Sequence, residues 1–133
     1  MKKTELSKEN QEKFKWLMDA DTLNEDVEVI NGRLIWNKGE WRCGIWHDGV
    51  WYKGDWHGGV WKDGDWHDGV WHDGVWYKGD WHDGDWHGGI WKDGDWCDGV
   101  WHDGVWHKGK MWNNIKQKFV EVKQVGRKFE ELN

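Results

Sequence analysis

The chain carries eight His, at positions 47, 57, 67, 72, 82, 87, 102 and 107, and several are followed at once by Asp, as in His47-Asp48 and His102-Asp103. Imidazole next to carboxylate suggests a general-base dyad or a metal site. Catalysis requires one asymmetric constellation with distinct roles. Here the same few groups recur along the chain, and no hydroxyl or thiol nucleophile stands repeatedly beside them. A non-enzymatic protein is therefore expected. Zinc wants four ligands converging tetrahedrally, whereas a recurring His offers ligands in a line. His also alternates with Lys, Tyr, Arg and Cys at its place in the pattern, as outward solubilising residues do. The expectation is no catalytic residue, no metal ligand and no cofactor. Cys43 and Cys97 are too few for a disulfide framework and read as incidental thiols of a chain made in a reducing compartment.

The elements that must position these groups are repeats. From Trp36 to Lys110 the chain is fifteen unbroken pentapeptides of the form WxxGx. Their first slot holds Trp36, Trp41, Trp46, Trp51, Trp56, Trp61, Trp66, Trp71, Trp76, Trp81, Trp86, Trp91, Trp96, Trp101 and Trp106. The fourth slot is always Gly, from Gly39 to Gly109. The second slot is mostly His, Lys or Tyr, the third mostly Asp or Lys, and the fifth is β-branched or acidic apart from Lys110. A longer repeat lies on top: residues 54–79 align without gaps onto 84–109 and differ only at Val60/Ile90, His67/Cys97 and Tyr77/His107.

A period of five fits neither regular template. In a long strand every second Trp would change face, and in a helix each Trp would turn by about 140° from the last. The pattern works when each unit is a short straight side and a corner, with Gly in the positive-φ position. An antiparallel meander of hairpins with one Trp face would meet this rule, and so would a parallel β-solenoid. Lys precedes Gly at positions 38, 53, 78 and 108. A type I′ hairpin would force that Lys to positive φ, whereas a corner with positive φ at Gly alone would not. Ordering the backbone costs enough that nearly all Trp surface must be buried, and a solenoid buries it inside. The fold class expected is mainly β, a parallel β-solenoid with an internal Trp core. With three units per coil, Ile45, Val60, Val75, Ile90 and Val105 form an outward apolar column. Val50, Asp65, Asp80, Asp95 and Lys110 form another. With four, Val50, Val70 and Ile90 align and other columns mix Val with Asp.

The ends differ from the array. Residues 1–26 read as a helical segment, with a short helix over 5–18 whose apolar contacts are Phe14, Leu17 and Met18. Residues 27–35 read as a β-hairpin cap around Asn31-Gly32, which suits a type I′ turn. The array occupies 36–110. Residues 111–133 read as a C-terminal amphipathic helix, with Ile115, Phe119, Val122 and Phe129 on one side. Atypical ends are what a repeat array needs to cover its open faces.

Composition limits the function classes. Of 133 residues, 17 are Trp, 19 are Gly and none is Pro. So many aromatics argue against disorder despite the low mean hydropathy. The net charge of −6 argues against a general nucleic-acid binder. No apolar run is long enough for a transmembrane helix, and the N-terminus lacks the apolar core of a secretory signal.

The unit G-[DV]-W-x-x is similar to that of the pentapeptide-repeat proteins, with Gly at their small position and Trp at their central Leu or Phe. That resemblance implies a right-handed quadrilateral β-helix with four units per coil. Tyr52-Lys53-Gly54-Asp55-Trp56 and Tyr77–Trp81 resemble the Y-x-G-x-W core of MORN repeats, which implies meandering hairpins. Uninterrupted WxxGx arrays look like proteins encoded by large tailed bacteriophages. That likeness implies a virion or phage–host role for a chain synthesised in the cytoplasm.

The reading of function is a non-enzymatic structural or scaffold rod that mediates protein–protein interaction or self-association. Its partner surface is the column Ile45, Val60, Val75, Ile90 and Val105 together with Ile115, Phe119, Val122 and Phe129. The alternatives are a carbohydrate-binding module, using Trp exposed at the ends such as Trp36, Trp106 or Trp112, and an acidic DNA mimic. The array alone carries 8 basic and 14 acidic residues.

Overall fold

The computed structural model describes residues 1–132. A 3-10 turn at Lys3–Glu5 leads into α1, Lys8–Lys13, and α2, Lys15–Asp19. Ser7 caps α1 by accepting a hydrogen bond from the Asn10 amide. Strands β1, Asp21–Ile30, and β2, Arg33–Cys43, then form an antiparallel hairpin. Its turn is Asn31-Gly32, both at positive φ (51° and 76°), as a type I′ turn requires. The hairpin is longer than the sequence suggested. It begins at Asp21, and β2 runs on through Trp36 and Trp41, so cap and array share a strand.

Thirteen two-residue strands follow, β3 to β15, each a fifth-slot residue and the next Trp, from Ile45–Trp46 to Val105–Trp106. All their pairings are parallel, with an offset of fifteen residues: Ile35↔Val50, Glu40↔Asp55, Ile45↔Val60 and so on up the array. The antiparallel meander is thereby excluded. A coil therefore holds three pentapeptides, and the fifteen units make five coils. The pentapeptide-repeat likeness led correctly to a parallel β-solenoid, but its four-unit coil is not found here. Five coils at about 4.8 Å stand about 24 Å tall, a short triangular prism rather than a long rod.

Each array Trp points inward. Trp36 to Trp91 are fully buried, Trp96 and Trp106 nearly so, and Trp101 is half-buried. Along each side the rings stack on those of the next coil, as in Trp61 on Trp76 at 4.8 Å and 4°. Around the coil they meet edge to face, as in Trp61 against Trp66 at 5.9 Å and 73°. Both are favoured arrangements of aromatic quadrupoles. The backbone ladder uses two carbonyls per unit. The Trp carbonyl accepts from the second-slot N–H one coil on (Tyr77 to Trp61, 2.8 Å), and the Gly carbonyl from the fifth-slot N–H (Val75 to Gly59, 3.0 Å).

Both open ends of the prism are covered. Trp16 of α2 packs on Trp41 and Trp46 with centroids 6.4 and 5.2 Å away. At the other end the expected C-terminal helix is absent. Residues Lys110–Asn113 form β16, Lys118–Val125 form β17 and Lys128–Glu131 form β18. Strand β16 extends the solenoid by pairing with the Asp95–Trp96 strand, and β17 and β18 fold back antiparallel. The Asn113 side chain accepts from the amides of Ile115 and Lys116 and closes the turn between β16 and β17. Val120 and Val122 alternate with exposed neighbours in the strand period. Gly126, at φ 62°, is the first turn residue between Val125 and Lys128. Phe129 packs edge-on against Trp101 and Trp106 at 5.4 and 5.2 Å. No helix among the described residues is long and apolar enough to cross a membrane.

Candidate functional site: three outward faces

Because Trp points inward, the residues on either side of it point outward on the same strand surface. Each unit therefore presents one fifth-slot and one second-slot side chain on its straight side, with the third-slot residue at the corner. The fifteen-residue offset sorts these pairs into three faces.

The first face carries the fifth-slot column Ile35, Val50, Asp65, Asp80, Asp95 and Lys110. Partial desolvation, then the carboxylates of Asp65 and Asp95 beside it, push the Asp80 carboxyl above the ordinary Asp range. Tyr52, His67 and His82 stack alongside, with centroids 4.9 and 4.5 Å apart. Near the C-terminal end, Asp80, Trp81, His82, Asp95 and Cys97 line a cavity of about 400 Å³ with Trp112 and Phe119. Trp112 meets Phe119 edge-on at 5.2 Å. Burial and the nearby Asp98 and Asp83 raise the Cys97 thiol above its ordinary value, which keeps it protonated and poorly nucleophilic.

The second face carries Glu40, Asp55, Val70, Asp85 and Val100. Beside it runs a histidine column, His57, His72, His87 and His102, with centroids 4.8, 5.6 and 4.4 Å apart. Partial desolvation within the stack holds the exposed His72 below the ordinary His range, helped by the neighbouring His57 and His87 imidazoles and opposed by Asp55. His57 lies 3.3 Å from the Glu40 carboxylate.

The third face is a five-stranded parallel sheet with Ile45, Val60, Val75, Ile90 and Val105 in register. Ile45 and Val105 are 45% and 52% exposed, and the three between are half-buried. Lys62 and Lys92 stand beside the column, with the Lys92 ammonium 5.8 Å from the Tyr77 ring centroid. A shallow groove of about 480 Å³ runs along Ile45, Val60, Lys62, Tyr77, Lys78 and Asp93.

The other sequence-derived surface residues lie elsewhere. Ile115 is 94% exposed in the turn between β16 and β17, and Phe119 borders the first-face cavity. Val122 is buried, and its carbonyl accepts from the Trp106 indole at 3.2 Å. Phe129 plugs the end of the Trp stack. These four share no helix face, because residues 110–131 form strands and turns. Of the Trp proposed for sugar stacking, Trp36 and Trp106 are buried and Trp112 is half-buried. Sequence reasoning missed Trp16 as the N-terminal plug. The signal available was an indole within the same short helix as Phe14 and Leu17.

Against family models, curated proteins and solved structures alike, the chain finds no match.

Proposed function

We propose that this protein is a non-enzymatic structural scaffold that docks a protein partner along its third face. One observation carries the reading: five β-branched side chains stand in register on a parallel sheet backed by buried indoles. Such a face is preorganised, so docking onto it orders little of the scaffold itself. Its apolar column beside Lys62 and Lys92 suits a partner surface with an apolar strip and acidic flanks. The two other faces interrupt their fifth-slot columns with carboxylates. A virion or a phage–host contact is the setting we propose, on the resemblance of the WxxGx repeat alone.

A photo-crosslinking residue at position 75, expressed in the native host, tests the scaffold reading. It is expected to yield a defined protein adduct that the same group at position 72, on the second face, does not. Equal adducts from both positions, or none from position 75, would contradict it.

A second reading, carbohydrate binding, is favoured by the cavity where Trp112 and Phe119 face Asp80, His82 and Asp95. An aromatic ring beside carboxylates is the arrangement on which a sugar stacks and donates its hydroxyls. Saturable glycan binding that Trp112→Ala abolishes would move the assignment to this end of the molecule.

A further inference from the structure

A row of His from one slot gives ligands in a line, which is why the sequence alone argued against a metal. The fold adds a ligand from outside that row. Asp85 and His87 flank the inward Trp86 and so share the outer surface of one strand, and His102 lies one coil above His87. One ligand atom from each of Asp85, His87 and His102 lies within 4.8 Å of the other two. His102 Nε2 is 3.9 Å from Asp85 Oδ1.

We propose that Asp85, His87 and His102 bind a divalent transition-metal cation of the zinc class. Two imidazoles and one carboxylate are ligands that zinc and its neighbours accept, and imidazole in particular suits zinc, copper and nickel. Bond lengths of about 2.0–2.1 Å put tetrahedral ligand atoms about 3.3 Å apart. His87 and His102 are exposed, which leaves their side chains room to rotate toward that spacing. Three protein ligands leave the fourth position to water or to a partner's side chain. A second cluster, Glu40, Asp55 and His57, lies on the same face but offers one imidazole and two carboxylates, a harder set that suits zinc less well. The site joins two successive coils, so metal bound there ties one coil to the next.

Calorimetric titration of the full chain with zinc chloride tests the assignment. The wild type is expected to saturate with at least one equivalent. His102→Gln should lose one equivalent or weaken it at least tenfold, and Asp85→Asn should weaken it as well. His107→Gln removes an equally exposed imidazole from the third face and should titrate as the wild type does. Unchanged circular dichroism would show that each variant keeps the fold. The proposal is overturned by a wild type with no saturable binding, by a His102→Gln chain that binds as the wild type, or by equal losses in His102→Gln and His107→Gln.

Discussion

A methyl group on Gly69 would meet the Gly54 carbonyl oxygen at 2.2 Å, and Gly69 sits at φ 125°. Both facts exclude a side chain: the conformation is one that L-residues avoid, and the space belongs to the backbone of the coil below. Gly69→Ala should destabilise the protein by about 3 kcal/mol or more. A methyl on Gly58, in a third slot, would stand 3.7 Å from its nearest neighbour, and Gly58 lies outside that positive-φ region. Gly58→Ala should be neutral or stabilise by about 0.5 kcal/mol through the unfolded chain. Denaturant melts of the two variants check this, and equal losses would contradict it. The fourth-slot Gly and first-slot Trp were legible in the sequence because a strict period tolerates one conformation per slot. Lys before Gly placed positive φ on Gly alone, and no array residue other than Gly has it.

The columns are the elements that sequence could not fix, because the number of units per coil depends on how far each corner turns the chain. The fifth-slot pattern pointed to three and the family likeness to four, and the parallel register decides for three. On the second face, partial desolvation and two neighbouring imidazoles disfavour a proton on His72. Its folded value lies below the ordinary 6.5, so the stability it contributes is present above that pH and is lost as pH falls below it. The melting temperature should therefore drop on acidification through that range, and His72→Gln should flatten part of the slope. An identical slope in the variant would contradict the account. At the C-terminus, the spacing of Ile115, Phe119, Val122 and Phe129 suggested a helix. The β-branched alternation at Val120 and Val122 and the Gly126 turn carried the opposite signal, and these residues form strands. Phe129→Ala removes the edge-on lid of Trp101 and Trp106. It should cost about 2 kcal/mol and speed indole N–H exchange at those two rings while leaving Trp61 unchanged. Faster exchange throughout the array would contradict a local plug.

At the scale of the whole molecule, the alignment of 54–79 onto 84–109 is an offset of thirty residues, or two complete coils. A repeat of that length preserves the faces, since every side chain returns to its own column. This explains how an array of near-identical units keeps an apolar face, a histidine face and an acidic face distinct. All three depend on one property, a continuous indole core closed at both ends. Indole N–H exchange, followed by NMR in the native protein, tests that core most directly. Slow exchange is expected for the twelve fully buried rings from Trp36 to Trp91, and fast exchange for the half-exposed Trp16 and Trp112. If all the indole protons exchanged at the rate of free tryptophan under native conditions, the prism and the faces it carries would be refuted.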